Sequence, residues 1–191
     1  MRYLTPNEAL VSNPHRVIVA GTSGSGKTHL AARIGSALQI PHIEIDALHH
    51  GPSWNKRSTF ESEVEQFAKT PQWVTEWQYS SVRPLLARRA NLLVWLDLSR
   101  TRVMSQVIER TLFRSLRRER LWSGNVEPPL WTIFRDRDHI IRWAWRTHGE
   151  TRSRVIALAG ERPDLTIVRL GDRADVERWV EGPLEALART I

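Results

Sequence analysis

Gly21-Thr22-Ser23-Gly24-Ser25-Gly26-Lys27-Thr28 decides the fold. It follows a short apolar, β-branched run, Arg16 to Ala20 (RVIVA), and precedes a helical pattern that runs through Leu38. Strand, glycine-rich turn and helix in that order are the context in which GxxxxGK[ST] is a phosphate-binding loop. Glycines let the backbone curl until its amide hydrogens converge on one anion, and the following helix adds its positive N-terminal end. Lys27 has the reach for the β and γ phosphates of a nucleoside triphosphate, and the Thr28 hydroxyl suits Mg²⁺ bound to the same phosphates. ATP and Mg²⁺ are therefore the expected ligands.

Outward from the loop, the chain alternates strand and helix. Expected strands are Arg16 to Ala20, His42 to Ile45, Gln72 to Glu76, Leu92 to Leu96 and Leu165 to Leu170. Expected helices bury Leu30, Ile34, Ala37 and Leu38 in the first and Phe60, Val64, Phe67 and Ala68 in the next. Others cover Val82 to Arg89, about Arg102 to Arg120, Ile140 to Ala159, and Ala174 to Glu181, the last stopped by Gly182-Pro183. Leu92 to Leu96 is apolar throughout, as befits a strand covered on both faces. Parallel strands need crossover connections, so the alternation predicts an open α/β sheet with helices on both faces.

The chain has 191 residues, 41% hydrophobic and 26% charged, which fits one globular domain. We expect a core over about 16–100 and 155–191, and a lid and arm over about 101–154. With no cysteine, disulfides, thiolate nucleophiles and cysteine zinc sites are excluded. Met1 to Arg16 has no signal-peptide core and no run is long enough to cross a bilayer, so a cytoplasmic location is expected. The net charge of +7 is regional: residues 83–154 carry 16 Arg, no Lys and 7 acids. Arginine's planar fork suits phosphate.

Several blocks carry a family resemblance: GTSGSGKTHLAARI, PHIEIDALHHGPSW, WVTEWQYSS and LLVWLDLSR. Together, from about Arg16 to Leu170, they resemble adenylate-kinase-like P-loop proteins, especially the small bacterial group labelled topology-modulation proteins. The resemblance implies a nucleoside-monophosphate-kinase-like core with a five-stranded parallel sheet, an acceptor-binding segment after the second strand and an Arg-rich helical lid. Where that group usually has Asp-Gly after its third strand, this chain has Glu76-Trp77, a longer carboxylate followed by a bulky indole.

Glu76, at a strand end on the sheet edge where α/β ligands bind, is the expected metal-side carboxylate together with Thr28, and Asp97 is its alternative. Asp46 is expected to bind an acceptor hydroxyl or act as its general base. His49 and His50 lie beside it; adjacent histidines on one loop rarely share a metal ion, so His49 is read as an acceptor contact. Trp54 and Trp77 are candidates for stacking on a substrate ring, with core packing the alternative. On the long helix Val103, Val107, Arg110, Arg114 and Arg117 share one face, a core stripe turning cationic. Those three arginines are expected over the transferring phosphoryl group, faced by Arg142 and Arg146 from the returning helix.

These residues predict an ATP-dependent kinase acting on a small-molecule acceptor such as a nucleotide. Two other readings stay open. One is an ATP-binding regulator that holds nucleic acid on the basic region through Trp95, Trp122, Trp131, Trp143 and Trp145; the other is a plain ATPase.

Overall fold

The computed structural model describes residues 2–10, 13–117, 122–125 and 140–190, with side chains left aside for Arg2, 113–117 and 140–144. Five parallel strands form one sheet: β1 (Arg2–Leu4), β2 (Arg16–Gly21), β3 (Trp73–Glu76), β4 (Leu92–Leu96) and β5 (Thr166–Leu170), in spatial order β1-β5-β4-β2-β3. The register sets Val19 beside both Glu76 and Val94.

Alternate residues of the strands serve opposite faces. Val17, Val19, Val74, Val94 and Leu170 join one buried cluster with α1 (Lys27–Leu38), α5 (Arg100–Arg117) and α7 (Arg173–Trp179). Ile18, Ala20, Trp73, Leu93 and Ile167 join another with α2 (Ile45–His49), α3 (Phe60–Ala68), α4 (Arg83–Arg89) and α6 (Ile140–Glu161). The result is the three-layer sandwich expected for buried parallel strands.

Three sequence expectations fail. His42 to Ile45 forms no strand: it makes one bridge, His42 to Val74, with backbone bonds Val74 N to Pro41 O and Ile43 N to Val74 O, both 2.9 Å. The ladder ends there because β3 offers side chains instead. The Thr75 hydroxyl donates to Ile43 O at 2.7 Å and a Glu76 oxygen accepts from Ile45 N at 3.0 Å, so Ile45 opens α2. The fifth strand is β1, which sequence reading passed over because three residues show no periodicity. Gly182-Pro183 does not stop the last helix either. The chain widens into a π turn over Val180–Leu184, which accommodates a proline without an N–H, and continues as α8 (Glu185–Ala188). Buried Trp179, Val180 and Leu184 anchor it.

Candidate active site

The phosphate loop joins β2 to α1. Gly24 and Gly26 take left-handed backbone angles, φ 80° and 93°, and Gly26 caps α1 with no side chain closing the helix end. Val107 of α5 seals the loop from above: a Cβ on Gly24 would stand 2.1 Å from its Cγ2. A Cβ on Gly21 would stand 2.4 Å from Ser25 Oγ, which would have to turn aside. Ser25 Oγ is itself buried without a hydrogen-bond partner in the protein. An orphaned hydroxyl inside a glycine cradle at a helix N-terminus fits a phosphate. Thr28 and Glu76 offer hard oxygen donors of the kind Mg²⁺ takes. Among the described residues there is no cluster of three or more His, Asp or Glu side chains suited to a metal ion.

Lys27 lies folded back on the loop, 8% exposed, with Nζ donating to Thr22 O at 3.1 Å. Burial lowers its pKa below the usual lysine range; Asp46 and Glu76 oppose that shift and Arg110 adds to it. Lys27, Asp46, Glu76 and Arg110 thus share one electrostatic neighbourhood, although they come from α1, α2, β3 and α5. Val103 and Val107 are buried in the core, and the charge of Arg110, one turn further along α5, adds to the lowering of the Lys27 pKa.

Glu76 is 1% exposed and doubly fixed: Oε1 lies 3.2 Å from His42 Nε2, and Oε2 accepts from Ile45 N. Burial alone would raise its pKa, but these hydrogen bonds outweigh it and hold the carboxyl below its ordinary value. Each oxygen retains a further lone-pair direction. Asp97 is otherwise engaged, bound by Arg169 at 2.6 Å and Arg152 at 3.6 Å.

Asp46 sits in the first turn of α2. Its Oδ1 accepts hydrogen bonds from Tyr79 OH at 2.6 Å and from the Gln78 amide, and Tyr79 OH also lies 3.1 Å from His50 Nε2. Burial pushes the Asp46 pKa up, while Tyr79 and Lys27 pull against it. The His49 ring stacks on Tyr79 at 3.9 Å, and burial lowers its pKa to about 4, which leaves it neutral at pH 7. Tyr79 and Gln78 were missed in the sequence, although Tyr79 belongs to the WVTEWQYSS block. Tyr79 also has φ 61°, a left-handed angle rare for a bulky residue and typical of backbone held under constraint at a site.

Trp54 is 36% exposed at the rim beside His50, whereas Trp77 packs against the core and its indole N–H donates to Arg83 O at 3.1 Å. Arg146 is exposed on α6. The side chains of Arg114, Arg117 and Arg142 lie outside those described, as do Trp131 and Trp143.

No family model and no curated protein matches the chain. Solved structures do. A gluconokinase from Sinorhizobium meliloti superposes with a TM-score of 0.54 at 22% identity, covering 93% of this chain and 94% of that one. A shikimate kinase from Bacteroides thetaiotaomicron gives 0.46 at 15% identity over 88% and 95%, and a sugar kinase from Janibacter gives 0.41 at 15% over 91% and 90%. The five-stranded parallel sheet flanked by helices is the fold of P-loop kinases.

Proposed function

We propose that this protein is an ATP- and Mg²⁺-dependent kinase that phosphorylates a small-molecule acceptor. The electrostatic coupling of Lys27, in the phosphate loop, to Asp46, Glu76 and Arg110 carries this reading, because it pairs phosphate-holding cations with a partly buried carboxylate able to take a proton. The loop amides, Ser25 and Lys27 would hold the triphosphate, and Thr28 and Glu76 would hold the metal side. Bound Mg²⁺ would supply charge neutralisation at the phosphate oxygens. Arg110, with Arg114 and Arg117 further along α5, stabilises the charge that spreads over the phosphoryl group in flight.

Asp46 accepts the proton of the acceptor as its oxygen bonds to phosphorus, and the bridging oxygen of the triphosphate leaves with the electrons of the broken bond. Asp46, His49 and Trp54 form the acceptor side. Arg142 and Arg146, on the returning helix, are proposed to face the α5 arginines across the transferring phosphoryl group. The test is phosphoryl transfer from γ-labelled ATP to a panel of nucleosides, nucleoside monophosphates, sugars and sugar acids. Turnover that depends on Mg²⁺ and on Lys27 is expected; acceptor-independent hydrolysis alone would favour a plain ATPase.

A further inference from the structure

The acceptor side is completed by a segment remote in sequence, Trp122–Asn125. Asn125 is 7% exposed; its Nδ2 donates to Gly51 O at 2.9 Å, and its Oδ1 accepts from Trp54 N at 3.2 Å. The Ser123 hydroxyl donates to His50 O at 2.8 Å. Three hydrogen bonds thus pin the loop at 50–54, which carries left-handed non-glycine angles at Ser53 (57°) and Trp54 (60°). Such angles persist only where surrounding contacts over-determine them.

The pinned loop assembles an aromatic corner. The His50 ring stacks on Trp122 at 5.7 Å and meets Trp54 edge-on at 5.2 Å; the two indoles meet edge to face at 6.3 Å. Trp54 is 36% exposed and Trp122 is half-buried, so part of the apolar ring surface is open to a ligand. His50 is also the end of the hydrogen-bonded chain through Tyr79 to Asp46, so carboxylate and indoles are one side-chain layer apart.

The charge of this pocket is informative. Lys56 and Arg57, the cations on the acceptor loop, are paired with Glu61 and Glu63, and His49 is neutral at pH 7. Asp46 brings negative charge. A phosphate or carboxylate on the acceptor would meet that carboxylate while the loop's own cations are already engaged.

Resting on the kinase reading above, we propose that the acceptor is an uncharged ring compound bearing hydroxyls, with one hydroxyl on Asp46 and its ring against Trp54 and Trp122, and that Asn125 is the positioning residue for this site. A neutral polyol ring has the hydrogen-bonding edge and the apolar C–H face that the two halves of the pocket require. This departs from the nucleotide that the sequence analysis gives as an example of an acceptor.

The test compares D-glucose, D-ribose, myo-inositol and adenosine with gluconate, shikimate and AMP as acceptors, alongside calorimetric binding of ATP. A neutral compound should give a kcat/KM at least about tenfold above every anionic one, and the sugar and adenosine arms separate a bare sugar from a nucleoside. Trp54→Ala and Asn125→Ala should each raise the acceptor KM about ten- to a hundredfold with the ATP KM nearly unchanged, a split that general unfolding would not give. Preference for an anionic acceptor, or an unaltered acceptor KM in Trp54→Ala, overturns the proposal. Quenching of tryptophan fluorescence by the neutral compounds, present in the wild type and absent in Trp54→Ala, reads the pocket without ATP. Quenching without ATP binding would uphold the pocket while removing the kinase reading; ATP binding with neither quenching nor turnover by any neutral compound would remove the pocket alone. Absence of both ATP binding and quenching would remove both.

Discussion

Val107 of α5 stands where a side chain on Gly24 would have to go, with its Cγ2 2.1 Å from the would-be Cβ. The helix that carries the arginines is therefore seated directly on the phosphate loop, and the loop's shape and the helix's position are one structural decision. Gly24 also has φ 80°, so two independent penalties oppose a side chain there.

Gly24→Ala should accordingly lower the melting temperature by several degrees and weaken ATP binding about tenfold or more, through strain of roughly 1–3 kcal/mol. Adding Val107→Ala relieves the clash but not the left-handed angle. The double variant should recover part of the ATP affinity, a coupling readable in a double-mutant cycle by calorimetry. Strictly additive losses would show that the contact does not shape the loop.

Lys27→Met keeps most of the buried stem and removes the charge. Turnover should drop about a hundredfold or more, with melting changed by only a few degrees, because the ammonium is buried against its preference. Steady-state kinetics and thermal melts check both halves. Turnover at the wild-type rate in a folded Lys27→Met protein would be incompatible with the assigned role.

Arg110→Lys retains a charge near Lys27 but loses the planar fork. We expect turnover to fall about ten- to a thousandfold, roughly 1.4 to 4 kcal/mol, with ATP affinity much less affected. Arg114→Lys should behave in the same way. If turnover held and DNA binding weakened with a flatter salt dependence when Arg110, Arg114 and Arg117 were all made alanine, the basic helix would be a nucleic-acid surface instead.

The pH dependence of stability has a definite sign at His49. Its folded pKa of about 4 lies below the ordinary histidine value of 6.5, so the unfolded chain takes up a proton first. The stabilisation is full above pH 6.5 and is lost as pH falls toward 4. Because the ring is only partly buried, the effect should be about 1 kcal/mol. His49→Phe keeps the ring contacts with Tyr79 and Phe60 and should flatten this part of the stability curve in urea unfolding between pH 7 and 4. An unchanged slope would assign the loss to other groups. Glu76, held below its ordinary value, governs the more acidic side: its contribution is full above about pH 4.5 and disappears below.

Much of this was legible before any coordinates. The phosphate loop needed no tertiary information, since glycine spacing, Lys27 and Thr28 are a local signal, and Leu92–Leu96 appears with the bounds its apolar run gave. The core stripe of α5 was equally plain. What sequence could not show were decisions made by partners distant in the chain. His42 to Ile45 has the composition of a strand, yet Thr75 and Glu76 capture the groups that would have extended it. Tyr79 reaches Asp46 only through a left-handed turn, and nothing in Trp-Ser-Gly-Asn marks residues 122–125 as a clamp on a loop some seventy positions earlier.

Sheet order also dictates a timetable for synthesis. Strand β1, Arg2–Leu4, is synthesised before the other four strands, yet its pairing partner is β5, Thr166–Leu170, which is synthesised after them. The interior strand β2 pairs with β3 and β4, both made before β5, so the phosphate loop can acquire its flanking strands while translation continues. The edge formed by β1 must wait for β5 to dock on β4, which leaves a nascent intermediate with an unfilled sheet edge. A protein with its phosphate loop framed early and its border sealed last should be most prone to misassociate before β5 has been made and docked.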